Sequence, residues 1–213
     1  MAVAGMTTPL RGGTFRKLIL NAGAFVIGFD DSEYTTAAAL KTALASFLND
    51  PEKCLGATRG GGTFTVTRDM RQVEADGVRY RFVGDTFVDS SDAYLSTTLI
   101  ELGSAASMKR AMATADVTTT GLKSVLKMRT RIQDADYIKN LCWVGDIADG
   151  GFVIIKLANA LNTTDLTVTF TDKGEATLPV EFHAYQDTVE DYDYAPYEIV
   201  YIDVEAENES AGE

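Results

Sequence analysis

His183 is the only histidine in the chain. In "VEFHAY" it shares a strand face with Glu181 and Tyr185, two positions to either side. An imidazole beside a carboxylate can move protons or bind a metal. A Ser-His-Asp triad would have to use this histidine, yet no G-x-S-x-G elbow occurs. A zinc centre needs three or four ligands, which one histidine and the distant Cys54 and Cys142 do not supply as a common set. The expectation is a strand-surface histidine, with no catalytic residue, no metal and no cofactor.

A second candidate is "GATRGGGTF", Gly56 to Phe64. Gly56 and Gly61 have the spacing of a phosphate-binding G-x-x-x-x-G-K-[ST] loop, and Thr63 fills the hydroxyl place. The lysine place is Gly62, so the charge is missing. A phosphate loop also opens a helix, whose first amides hold the anion. This stretch opens "TFTVTR", a strand pattern. The glycines are therefore expected at a turn or a close backbone contact.

Charged clusters are the third. Asp187, Glu190, Asp191 and Asp193 form one acidic run, and Asp30, Asp31 and Glu33 another. Neither has the spaced loop and central glycine of a calcium-binding hand. In "GLKSVLKMRTRI", Lys123, Lys127, Arg129 and Arg131 lie on one alternating face, against Leu122, Leu126, Met128 and Ile132 on the other. Four cations in an acidic protein fit either a solvated edge that discourages strand addition or an interface with an acidic patch of a neighbouring chain.

The elements that must carry these residues are mostly strands. "TFTVTRDM" alternates, with Phe64, Val66 and Met70 against Thr63, Thr65, Thr67 and Asp69. Asp76-Gly77 signals a turn between strand-like runs. "DAYLSTTLIEL" reads as a strand apolar on both faces. "YIKNLCWVGDIADGGFVIIKL" reads as two strands joined at Asp149-Gly150-Gly151. "LTVTFTDKGEATLPVEFHAY" reads as a hairpin pairing Leu166, Val168 and Phe170 with Val180, Phe182 and Ala184, with Pro179 marking an edge. "YEIVYIDVE" is a last strand. Two stretches read as helices: "TTAAALKTALASFLND", with Leu40, Leu44, Phe47 and Leu48 on one stripe, and "SAASMKRAMATAD" after a Ser104 cap. The fold class is mainly β, a sandwich or barrel-like sheet with one packed helix and a helical or loop insert.

With 213 residues, one domain is expected over 1–213. Within it, 1–13 reads as an N-terminal arm, 30–52 as the insert and 205–213 as an acidic flexible tail. Hydrophobic residues make up 46% and charged residues 23%, and the net charge is −12. That charge repels nucleic acid in general, so sequence-specific DNA binding is not expected. It does suit a passage along which DNA slides without sticking.

"LGATRGGGTFTVTRDMRQVEADG" followed by "STTLIEL" resembles the major tail tube proteins of long-tailed bacteriophages. Further matches are "NAGAFVIGFD", "DADYIKNLCWVGDIADGGFVIIKLANAL" and "FHAYQD…APYEIV", so the resemblance spans most of Asn21 to Tyr201. It implies a structural virion protein without catalysis. Such subunits form hexameric rings whose inner sheets join into one large barrel, and the rings stack into a hollow tail tube that conducts DNA. The implied partners are further copies of the chain and the tape-measure, tail-tip and tail-terminator proteins. The implied location is the virion tail, assembled in the host bacterial cytoplasm.

On that reading Arg59, Gly60, Gly61, Gly62, Lys123, Lys127, Arg129, Arg131, Asp187, Glu190, Asp191 and Asp193 are subunit-interface candidates. Thr63, Thr65, Thr67, Asp69, Thr97 and Glu101 are candidates for the lumen. Two rivals stay open. One is a monomeric β-sandwich binding module, for instance for carbohydrate, with Tyr192, Tyr194 and Tyr197 as an aromatic patch. The other is a hydrolase built around His183 and the carboxylates.

Overall fold

A computed structural model describes residues 14–34, 36–77, 79–187 and 194–202. The expected arm at 1–13 and tail at 205–213 lie outside the described residues, as do Tyr192, Glu190, Asp191 and Asp193.

The chain is mainly β, built on a large antiparallel sheet. The strands are β1 (Ile19–Ile27), β2 (Thr58–Gln72), β3 (Thr86–Leu99), β4 (Ala115–Thr120), β5 (Lys123–Met128), β6 (Ile138–Ile147), β7 (Phe152–Asn162), β8 (Leu178–Tyr185) and β9 (Tyr197–Ile202). The main sheet runs β1-β6-β7-β8-β3-β2, with β9 also on β7. One side of β7 meets β9 along Phe152 to Leu157 and β8 along Asn159 to Asn162. The β4–β5 hairpin is a separate two-stranded sheet.

The two ends of the main sheet approach each other. Just before β2, the chain bridges to β1: Ile27 N donates to Lys53 O (2.7 Å) and Leu55 N to Phe25 O (3.0 Å). This curl encloses the first core, which includes Phe25, Leu55, Leu95, Leu99, Leu141, Leu157, Val180 and Phe182. Helix α2 (Ala105–Ala111) adds Ala111, and the Ser104 hydroxyl caps its first turn.

A second core lies on the opposite face of β1, β6 and β7. Helix α1 (Ala37–Asn49) covers Val26, Cys142, Val144 and Ile154 there. Thr36 caps this helix, accepting from Ala39 N at 3.2 Å, and Asp50-Pro51 ends it. Leu40 and Leu44, one turn apart, are buried against Phe29 and Val26, a gain of about 1.5–3 kcal/mol each. Leu48 of the same stripe stays exposed. Burial on both faces explains the apolar runs within β6 (residues 141–144) and β7 (residues 152–155).

Several local readings give way to tertiary pairing. Residues 163–177 form a connection with a single bridge, Thr169 to Thr177, instead of the first strand of a hairpin. Val180 and Phe182 pair with Thr97 and Leu95 of β3, which offers the longer apolar face, and Phe170 is left exposed. Pro179 therefore does not mark an edge strand, because β8 lies between β3 and β7. It sits where β7 does not reach, since that pairing begins at Phe182. Residues 79–83 are not a strand either. The Asp76-Gly77 turn lies within the connection 73–85 that joins β2 to β3. From Asp92 on, one face of β3 is buried (Ala93, Leu95, Thr97, Leu99) and the other half-buried; residues 86–91 are exposed, and Ile100 and Leu102 fall beyond its end.

Candidate functional site

The glycine triplet is neither a phosphate cradle nor a turn ahead of a strand. It lies inside β2 as a bulge: Arg59 pairs with Thr98 and Gly62 with Thr97, leaving Gly60 and Gly61 as extra residues. Both extra residues have positive φ, +78° and +74°, which glycine adopts at no steric cost. The Gly61 carbonyl accepts from Thr97 Oγ1 at 2.5 Å. A Cβ at Gly61 would meet Ala22 at 3.5 Å, and one at Gly62 would lie 2.5 Å from Phe25 Cζ. The close approach is thus between β2 and β1 of one subunit. Arg59 also finds its partner within the subunit, pairing with Glu175, both side chains about half exposed. Gly60 is open to solvent.

The lumen candidates divide. Register places Thr63, Ser96 and Glu181 in one row, Thr65, Tyr94 and His183 in the next, then Thr67 with Asp92 and Asp69 with Ser90. These rows share one polar face of β2, β3 and β8. Thr97 belongs to the other face, aligned with Gly62 and Val180, and at 9% exposure it is buried. It cannot face a channel, and its hydroxyl serves the bulge. Glu101 lies beyond β3, where its carboxylate accepts from Ala57 N at 3.0 Å.

The basic face is smaller than its charge count. Lys123 and Lys127 are exposed on β5, and Asp116 stands opposite Lys127. Arg131 is exposed beyond the strand. Arg129 turns inward: its Nε lies 3.0 Å from Asp116 Oδ1, and Nη2 bonds Asp136, whose side chain is 3% exposed. An arginine tied to a buried carboxylate is an internal brace, which removes Arg129 from the free interface charges. Asp187 is exposed.

His183 sits between two carboxylates. Its Nδ1 is 2.8 Å from Asp92 Oδ2 and its Nε2 is 2.9 Å from Glu181 Oε1. The Tyr94 ring stacks on it at 4.9 Å. Partial burial works to lower the pKa of the imidazole, but the hydrogen bonds and charges of Asp92 and Glu181 outweigh it, and the pKa is raised. Glu181 was legible from sequence as a same-face neighbour. Asp92 was not, because strand register brings it there from 91 positions away.

Sequence reasoning also missed Lys156, which reaches Asp31 at 3.0 Å and Glu198 at 2.7 Å, and Arg110, which donates to the carbonyls of Pro51, Glu52 and Cys54. Charge alone gave no sign of either partner set. Both cysteines are free thiols, and burial pushes Cys142 up to about 12. Among the described residues no group of three or more His, Cys, Asp or Glu could hold a metal ion. No described helix is long and apolar enough to cross a membrane.

Two apolar features remain. The face of β2 and β3 that carries Phe64/Leu95 into the core and sets half-buried Val66 opposite buried Ala93 continues outward as Arg68/Ser91 and Met70/Val88. Met70 and Val88 are 60% and 56% exposed, and Phe82, Val83 and Phe87 near the tip are exposed as well. A cavity of about 710 Å³ opens between α1 and β1, lined largely by apolar groups including Ala24, Leu44, Leu48, Val144 and Phe152. The aromatic patch loses a member: the Tyr197 ring packs edge-on to Phe64 at 5.3 Å.

No protein-family model and no curated protein sequence matches the chain. Among solved structures, a chain from the virion of a native gene transfer agent particle is similar, with a TM-score of 0.39 and 9% identity. The match covers 72% of this chain and 92% of that one.

Proposed function

We propose that this chain is a structural virion protein of the tail tube type, whose copies close into hexameric rings that stack around a channel for DNA. The observation that carries the reading is the β2–β3 ribbon. Its core face leaves the subunit and runs on past Arg68 and Ser91 to exposed Met70 and Val88, and Phe87 is exposed on the other face beside them. A lone soluble domain gains nothing from such a surface, whereas a neighbouring copy can cover it. The order of motifs along Asn21 to Tyr201 supports the same reading.

The role needs neither catalysis nor a cofactor. A polar face of threonines with Asp92 and Glu181, in a chain of net charge −12, suits a wall that DNA passes without binding. The partners on this reading are further copies, a tape-measure protein, and tail-tip and terminator proteins, put together in a bacterial host. Electron microscopy of concentrated protein, with and without a tail-tip initiator, tests it. Rings about six subunits around, or tubes, are expected. A monomer under every condition overturns it.

A further inference from the structure

The His183 site has a requirement that neither the fold nor the tube reading uses. A neutral imidazole has one N–H and one lone pair, so it can donate to one carboxylate only. Here both ring nitrogens lie within hydrogen-bond distance of carboxylate oxygens, Asp92 Oδ2 at 2.8 Å and Glu181 Oε1 at 2.9 Å. Only the imidazolium satisfies both; the neutral ring turns a lone pair toward an anion.

We infer that His183 is a proton-operated clamp that ties the root of the β2–β3 ribbon to the body of the sheet. Its place in the fold gives it that leverage. β8 supports β3 from Leu99 as far as Tyr94. From Ala93 outward the register partners of β3 among the described residues are all in β2, so Asp92 lies just past the supported part. The Asp92 bond to His183 ties this unsupported part back to β8. With the proton on, β3 and β8 are held through one cation. With the proton off, one of the two bonds is lost and two carboxylates flank an uncharged ring.

The groups around the ring leave this proton in charge. β3 contributes Asp92 and the stacked Tyr94, and β8 contributes Glu181 and, two residues on, Tyr185. The register neighbours from β2 and β7 are Thr65 and Leu161, which do not titrate. Beyond Tyr185 lies the Tyr137 ring. Deprotonation exchanges a charge-assisted bond to Asp92 for one from a neutral ring, or for none, so the tie on the segment that carries the exposed apolar side chains weakens and the proton sets how firmly that surface is presented. The inference concerns the single subunit and does not rest on the tube reading.

The test uses dilute, dissociated full-length protein. With one histidine in the chain, nitrogen-15 spectra report the protonation of His183 without overlap. The expected result is a titration above the ordinary value of about 6.5, with protons on both ring nitrogens below it. Amide protection in residues 67–72 and 86–92, corrected for intrinsic exchange, should fall about three- to tenfold across that titration. Asp92→Asn should lower the titration and make ribbon protection independent of it, and Asp92→Glu should restore part of both. A titration at or below the ordinary value of about 6.5, or ribbon protection indifferent to the titration, overturns the inference.

Discussion

Gly62 of β2 stands directly against Phe25 of β1, so that a Cβ there would lie 2.5 Å from the phenyl Cζ. The sheet curls closed at this point, and the glycine is what lets its two end strands touch. Gly62→Ala is therefore expected to destabilise the isolated subunit by about 1–3 kcal/mol through overpacking. Gly61→Val should cost a similar amount, because β-branched residues resist a φ of +74°. Urea unfolding of the monomer checks both. Unchanged midpoints would contradict an intramolecular role and return the glycines to a contact between subunits.

The ribbon calls for the opposite pattern. Met70→Ser combined with Val88→Ser removes apolar groups that are already exposed. Subunit stability should move by no more than about 0.5 kcal/mol, while self-association measured by light scattering should weaken sharply. Undiminished association would show that another surface joins the copies.

Arg129 separates structural from free cations on the β5 side. Arg129→Met strands the buried Asp136 carboxylate and is expected to cost about 2–4 kcal/mol. Lys127→Met, on an exposed side chain, should stay within about 0.5 kcal/mol. Thermal melts of the two variants side by side decide this, and equal effects would count against the brace.

The clamp also fixes a sign for pH. The His183 pKa is raised in the folded subunit. Its contribution is therefore complete below the unfolded value of about 6.5, and it is lost as pH rises through the folded value. The melting temperature of the native chain should exceed that of His183→Gln in acid, down to where carboxylates protonate, and the gap should close in alkali. A gap that widens with pH would contradict this.

Much of the local structure was legible in the sequence. The 3.6-residue spacing of Leu40 and Leu44 with a threonine cap gives α1, and alternation gives β2. The turn at residues 148–151 joins β6 to β7 as read. What was not legible depends on register. β8 took β3 as its partner in place of residues 166–170, which left Phe170 out of the core and brought Asp92 to His183. Thr97 is as polar as its half-buried neighbours Ser96 and Thr98, yet strand pairing put it on the buried face. Arg129 illustrates the limit for charges: its sign was visible, but the two aspartates that fold around it were not.

The central claim, that copies of this chain build a tube, is tested most directly by imaging purified full-length protein by electron microscopy across a concentration series, with a tail-tip initiator added to a parallel series. Closed rings of about six subunits, stacking into hollow tubes at the highest concentrations or on the initiator, are the predicted result. Single subunits at every concentration, with the initiator present as well as absent, would contradict it.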